Sequence, residues 1–149
     1  ENLMNPMAHY KTTAQEILKQ TKGKRIDYFV AGMGTGGTIT GIGRKLKEKH
    51  KDLKIIGVQP VFGQIIEGLR SLKEGFVPPI LNLDQVDEIY DLEPEKAESA
   101  RKELALTRGM LVGPSSGAAY YVAKEIKKNN PGKNIVTIFP DRGERYLYY

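Results

Sequence analysis

The stretch AGMGTGGTITG, Ala31 to Gly41, holds five glycines in eleven residues and stands between a strand-like run, RIDYFV, and a helix-like one, IGRKLKEK. A glycine turn in that position lets backbone N–H groups at a helix N-terminus approach an anion closely. IDYFVA reads as a short buried strand, since it is nearly all apolar and ends at a glycine. From Thr38 onward Ile39, Ile42 and Leu46 recur at helical spacing, and the helix ends in the charged tail KEKHKD. KIIGVQP follows as a second buried strand. Strand, glycine turn, helix and strand make a βαβ unit, which sets its two strands parallel.

Outward from that unit the same alternation continues. Upstream, Thr13 to Glu16 (TAQE) predicts a capping box that opens a helix running to about Thr21. Downstream, FGQIIEGLRSLKEGFVPPILNLDQ is punctuated by Gly and Pro, with one short helix expected near Gln64 to Leu72. VDEIYDL predicts a strand, and EPEKAESARKELALTRG a helix with Pro94 near its start and Gly109 at its stop. MLVG is expected as a brief strand, PSSGAAYYVAKEIKK as a helix, and NIVTIFP as a last buried strand. The expectation is an α/β fold of three layers, a mostly parallel central sheet with helices on both faces, built as one domain over residues 1–149.

Composition narrows the function classes. The chain is 40% hydrophobic and 28% charged, ordinary for a globular protein. No apolar run reaches the roughly 18–20 residues that cross a bilayer, and ENLMNPMAHYKTT lacks the basic flank and apolar core of a signal peptide, so a cytoplasmic protein without membrane partners is expected. The absence of cysteine removes thiolate catalysis and Cys-based zinc sites, and two histidines, His9 and His50, are too few for a His-based metal site. The net charge of +5 comes from lysine runs at helix ends, where cations complement the helix dipole and face water. Aromatic residues do not interleave with these runs, so a solvated surface is expected in preference to a nucleic-acid face.

Ligands of open α/β sheets sit beyond the carboxyl ends of the strands, which singles out Gly32–Thr38, Gly113–Gly117 and Pro140–Arg145. The first of these is not a Walker A loop, because Gly-Gly-Thr stands where Gly-Lys-Ser or Gly-Lys-Thr is needed. Gly32, Gly34 and Gly37 match GxGxxG, but the next strand ends Val58, Gln59, Pro60, without the acidic residue that would hold a ribose. A single phosphate, with Thr35 and Thr38 adding hydroxyl donors, fits better; a tight turn without a ligand is the plainer alternative. Ser115 and Ser116 are candidate nucleophiles by type, but neither histidine has a place beside them in the sequence, and they read instead as helix caps or as a hydroxyl facing a heterocycle nitrogen. Asp141, Arg142, Glu144 and Arg145 read equally as surface ion pairs or as functional groups.

GMGTGGTITG, GPSSGAA and FPDRGERYL, preceded by NPMAHYKTTAQEI, resemble in order and spacing the C-terminal half of the β-family (fold type II) pyridoxal-phosphate enzymes. The resemblance is strongest to the cysteine synthases, also called O-acetylserine sulfhydrylases, and to their relative cystathionine β-synthase. It implies that Gly34, Thr35, Gly36, Gly37 and Thr38 hold the phosphate of pyridoxal 5'-phosphate, that Ser115 faces the pyridine nitrogen, and that Pro140 and Asp141 lie near the same ring edge. A neutral hydroxyl at the ring nitrogen suits β-elimination and replacement.

GLRSLKEGFVPPIL resembles the B-type cysteine synthases, some of which take O-phosphoserine. In those the segment around Gly68 approaches the substrate and the arginine after Gly-Leu, here Arg70, approaches its leaving group; an arginine on a short surface helix is the alternative. Members of the family run to about twice this length, and their Schiff-base lysine and substrate-carboxylate loop lie in an N-terminal half whose motifs do not occur here. The resemblance thus implies the C-terminal half of a two-domain enzyme, inactive by itself, which acts on a small amino-acid substrate and sulfide as a homodimer. DRGERYL is typical of cysteine synthases, while NPMAHYKTTAQEIL is close to cystathionine β-synthase, and a non-catalytic anion-binding module remains a third reading.

Overall fold

Along the first strand Phe29 and Ala31 face one side and Val30 the other, and the second strand repeats the alternation with Ile55 opposite Ile56 and Val58. A strand buried on both faces needs helices on both, and the computed structural model, which describes residues 4–147, has that arrangement. Strands β1 (Tyr28–Gly32), β2 (Lys54–Pro60), β3 (Glu88–Leu92) and β4 (Ile135–Thr137) form one sheet in the order β3-β2-β1-β4. Every pairing is parallel, with Tyr28 opposite both Lys54 and Ile135. On one face lie α1 (Met4–Ala8), α2 (Ala14–Gln20) and α3 (Gly37–Lys49), with Ile39, Ile42 and Leu46 buried against Phe29 and Ile55. On the other lie α4 (Pro94–Arg108) and α5 (Pro114–Asn129), with Ala118, Ala119, Val122 and Ile126 against Val30, Ile56 and Val58.

The helix ends follow the sequence at α4, where Pro94 opens the first turn and Gly109, at φ 64°, closes the last. Four local expectations are corrected. Thr13 caps nothing: with φ −56° and ψ −45° it lies inside a longer helical run that already begins at Met4, and a π-helical segment, His9–Thr13, joins α1 to α2. The expected helix at Gln64–Leu72 is a series of turns, because Gly68 takes φ 86° while Ile66 and Leu69 turn into the core; a 3-10 turn, Leu72–Glu74, begins only at its last residue. MLVG forms no strand and contributes a single antiparallel bridge, Val112 to Arg142. The last strand is three residues long and only half-buried, since β4 is an edge strand paired on one side among the described residues.

The segment between β2 and β3 is pinned by polar groups in place of a helix. Gln59, buried at the end of β2, donates from Nε2 to Asp91 Oδ1 at 2.7 Å and accepts from the Leu72 backbone N–H at 2.9 Å. Asp91 also pairs with Lys73. The position that would carry a ribose-binding acid in a dinucleotide fold therefore holds the loop that reaches over the ends of β1 and β2.

At the other end of the sheet Asp27 ties β1 to β4. Its Oδ2 accepts from the Asn134 backbone N–H at 2.9 Å and its Oδ1 pairs with Arg25 at 2.8 Å. The Asn134 N–H, then the Lys133 and Arg25 charges, hold the Asp27 carboxyl below the ordinary carboxylate range against the opposing effect of burial. A depressed folded pKa means that this stabilisation is complete above the unfolded value near ~4 and is lost as the pH falls through the folded one. Asp27→Asn in the complete protein is expected to lower stability by about 1–3 kcal/mol at pH 7. In urea unfolding the gap from wild type should narrow as the pH falls below the ordinary carboxylate range near ~4; a gap that stays constant with pH would mean that the charge is not what Asp27 contributes.

Candidate functional site

The strand order reverses between β1 and β4: the chain leaves β1 for β2 on one side and returns through α5 to β4 on the other. Parallel sheets open a crevice at such a point, beyond the carboxyl ends of the strands. A cavity of about 220 Å³ lies there. Ala31, Gly32, Gly34, Thr35, Gly36 and Thr38 line it from the end of β1 and the start of α3; Gly68 and Leu69 come from the β2–β3 loop, Ser115 from α5, and Ile138, Pro140 and Asp141 from the chain after β4.

Two helix N-termini meet this cavity. The residue before α3 is Gly36, at φ 88°, and no side chain caps the helix, so its first N–H groups are left for an outside acceptor. An added Cβ at Gly36 would lie 2.6 Å from Leu81 Cβ and 2.8 Å from Leu81 Cα, so both the conformation and the space require glycine. The residue before α5 is Gly113, again without a side-chain cap, which rules out the capping role considered for Ser115 and Ser116. Ser115 lies in the first turn of α5, buried at 8% exposure, and its hydroxyl makes no hydrogen bond among the described residues. Ser116 is fully buried with its Oγ unpartnered.

Among the described residues Asp141 is the one charged side chain on the cavity wall. Its Oδ2 accepts from the Tyr146 hydroxyl, which is held above the usual phenol range by that bond and by burial, and its Oδ1 is buried without a partner. A Cβ at Gly113 would fall on Oδ1, so the glycine before α5 makes the seat for this carboxylate. None of Asp141, Arg142, Glu144 and Arg145 forms an ion pair among the described residues, which removes the surface-pair reading of that cluster.

The β2–β3 loop is drawn onto the glycine turn by backbone contacts. The Arg70 N–H donates to the Met33 carbonyl at 2.9 Å, and a Cβ at Gly34 would fall on the Gly68 carbonyl oxygen. Gly68 in turn lies beside Ser115, whose Oγ would be 3.5 Å from a Cβ at Gly68. Eight of the ten residues singled out from the sequence thus share one wall: Gly34, Thr35, Gly36, Thr38, Gly68, Ser115, Pro140 and Asp141. Gly37 sits behind the turn, where a Cβ would lie 2.8 Å from the Asn5 side chain. The Arg70 side chain is exposed and lies outside the cavity wall, its guanidinium 6.0 Å from the centre of the Phe76 ring.

His9 has no signal in the sequence. Its Nε2 lies 3.3 Å from Thr38 Oγ1 and its Nδ1 3.0 Å from Thr13 Oγ1. Thr13 lies one helical turn downstream of it, but Thr38 is on a different helix, and no local period connects it to His9. His50, by contrast, accepts the Ile26 N–H at 3.4 Å, far from the cavity wall.

The arrangement suits a ligand with an anionic end and a flat heteroaromatic body. Free N–H groups and two threonine hydroxyls at the start of α3 can hold a phosphate without a cationic side chain. A neutral hydroxyl at the start of α5 can meet a ring nitrogen across the cavity, with the orphaned Asp141 oxygen available to a further donor. Pyridoxal 5'-phosphate has this layout, and the residues present fit it. Among the described residues no group of His, Cys, Asp and Glu is placed to hold a metal ion.

The family described as "Pyridoxal-phosphate dependent enzyme" matches residues 1–141. Cysteine synthase B of Salmonella typhimurium strain LT2 is 46% identical over 143 residues, which cover 96% of this chain and 47% of that protein. A cysteine synthase of Staphylococcus aureus strain Mu50 is 39% identical over 155 residues, covering 99% of this chain and 50% of that one. The crystal structure of an O-ureido-L-serine synthase superposes with a TM-score of 0.91 at 32% identity, over 100% of this chain and 50% of the other. That of a hydrogen sulfide-producing enzyme from Fusobacterium nucleatum gives a TM-score of 0.90 at 35% identity, covering 98% and 52%. The chain spans about half the length of the curated relatives it matches.

Proposed function

The chain belongs to the pyridoxal-phosphate dependent enzyme family, and from that premise we propose that the complete protein is a cysteine synthase. It would join an activated serine, O-acetylserine or O-phosphoserine, to sulfide, releasing acetate or phosphate and giving L-cysteine. The observation that carries this reading is the cavity between two uncapped helix N-termini, walled by the glycine-threonine turn and by Ser115, in a chain 46% identical to a cysteine synthase B.

When bound, pyridoxal 5'-phosphate supplies the electron sink that makes the substrate's α-proton removable. The residues of this chain orient it. The N–H groups that follow Gly36, with the Thr35 and Thr38 hydroxyls, hold the phosphate in the positive end of the α3 dipole. Ser115 meets the ring nitrogen with a neutral hydroxyl, and the positive end of α5 behind it disfavours a proton at that atom. Pro140 and Asp141 close the same edge. Gly68 brings the β2–β3 loop to the cavity mouth, and Arg70, two residues on, would swing in from its place over the Phe76 ring to contact the leaving group. On this reading the lysine that carries the cofactor and moves the α-proton belongs to an N-terminal half, of which this chain is the C-terminal complement. The working form would be a homodimer, in keeping with the exposed Phe62, Ile65, Leu106, Met110 and Leu111.

The test is product analysis with the complete protein, offering each serine ester with sulfide and, separately, with homocysteine. L-Cysteine from sulfide is expected. Cystathionine from homocysteine, with no cysteine from sulfide, would overturn the reading in favour of a cystathionine β-synthase. Arg70→Ala should raise KM for O-phosphoserine about 10-fold or more while leaving O-acetylserine unchanged, since a charge-assisted bond contributes roughly 1.5–3 kcal/mol. An equal effect on both esters would remove Arg70 from the leaving-group site.

A further inference from the structure

Thr38 faces the cavity, and the group behind its hydroxyl is His9. The contact is built from several features that serve no evident purpose separately. The helical run from Met4 to Gln20 widens into π geometry at His9–Thr13, a defect that costs hydrogen-bond quality and recurs at functional sites. Gly41 on α3 allows the run to lie against it: a Cβ there would fall on the Pro6 carbonyl oxygen and come within 2.9 Å of His9 Cβ. The imidazole is thereby brought to 3.3 Å from Thr38 Oγ1 on one side and 3.0 Å from Thr13 Oγ1 on the other. Burial lowers its pKa, which leaves it neutral, with one N–H to give.

Hydrogen-bond bookkeeping then allows a single consistent orientation. A Thr38 hydroxyl that donates to an anion in the cavity must accept from behind, and His9 Nε2–H is the donor in place. With its proton on Nε2, the ring accepts at Nδ1, and the Thr13 hydroxyl donates to it. Each bond in the row polarises the next toward the anion.

We propose that His9 is a positioning residue for the anion turn: its Nε2–H bonds Thr38 Oγ1 and commits the Thr38 hydroxyl proton to the bound phosphate, with Thr13 fixing the tautomer. The inference rests on the reading, given above, that this turn holds the phosphate of pyridoxal 5'-phosphate. His9 touches no reacting atom in this role.

The test uses the complete apoprotein titrated with pyridoxal 5'-phosphate, with the dissociation constant as readout. His9→Leu should weaken binding about tenfold, and His9→Gln, whose amide N–H can take the place of Nε2–H, should stay within about threefold of wild type. In a Thr38→Val background His9→Leu should have almost no further effect, because the hydroxyl through which it acts is gone. Nitrogen-15 shifts of the imidazole in the unmodified protein should report a neutral ring protonated at Nε2, a measurement that does not depend on any variant folding. Unchanged binding in His9→Leu, effects of His9→Leu and Thr38→Val that multiply in full, or a ring protonated at Nδ1 would each overturn the role of His9. Wild-type protein that does not bind pyridoxal 5'-phosphate, or Thr38→Val that binds it as wild type does, would overturn the reading of the turn itself.

Discussion

Gly34→Ala is expected to bring cofactor binding in the complete protein down by about 100-fold or more, with a loss of roughly 1–3 kcal/mol of stability. The added Cβ would lie 2.4 Å from the Gly68 carbonyl oxygen, and a backbone atom cannot turn aside as a side chain can. The turn and the β2–β3 loop would have to separate. That loop is already held by the Arg70 N–H to Met33, by Leu72 N–H to Gln59 and by the burial of Ile66 and Leu69, so the displacement falls on the anion turn. A shift of even 1 Å in donors aimed at a phosphate can cost about two orders of magnitude. Gly132→Ala, where an added Cβ meets nothing within 4 Å, is the control and should leave binding and stability unchanged. The measurements are equilibrium titration of the apoprotein and urea unfolding without cofactor. Wild-type affinity in Gly34→Ala would show that the turn and the loop do not share the close contact on which the cavity depends.

Thr38→Val tests the grip itself. Valine keeps the shape of threonine and removes one hydroxyl, so the apoprotein should keep its unfolding midpoint nearly unchanged. Cofactor affinity should fall about 10- to 100-fold, the effect of losing a hydrogen bond to a charged group worth roughly 1.5–3 kcal/mol. Thr35→Val should cost less, because Thr35 is exposed at the cavity mouth and water can replace its hydroxyl, whereas Thr38 is half-buried against His9. A larger loss at Thr35 than at Thr38 would reverse the assignment of the two hydroxyls. Among the described residues no cationic side chain lines the cavity, so on the proposed reading these neutral donors and the α3 N-terminus make up the phosphate site on this chain.

The opening stretch already carried the central βαβ unit. Short apolar runs and a period of 3.6 are set by a few residues, so IDYFVA, the run from Thr38 and KIIGVQP could be assigned to strand, helix and strand within a few residues of their ends. Pro94 and Gly109 bounded α4 for the same reason. Errors arose where local patterns were outweighed by longer-range packing. TAQE has the letters of a capping box, yet packing against α3 carries the helix back through Pro6 to Met4, and Thr13 becomes an interior residue bonded to His9. QIIEGLRSL has helical spacing, yet Gln59 captures the Leu72 N–H and the loop has to bend at Gly68 to satisfy it.

Local chemistry in the chain is thus sufficient for β1, α3, β2 and α4 and for the donor-rich turn at Gly34–Thr38, because each depends on neighbours in sequence. Assembly of the site depends on contacts that no local period encodes. Placing β4 beside β1, a pairing between residues 107 apart that includes the Thr137 hydroxyl bonded to the Val30 carbonyl, sets the order of the sheet. That order brings Pro140 and Asp141 to face Gly34, and α5 brings Ser115 to the same opening. The contact between His9 and Thr38, 29 residues apart, exists only because Gly41 lets two helices touch at the backbone. Close approach of that kind is a property of surfaces already folded, and it is what turned a glycine-rich turn into one wall of a cavity.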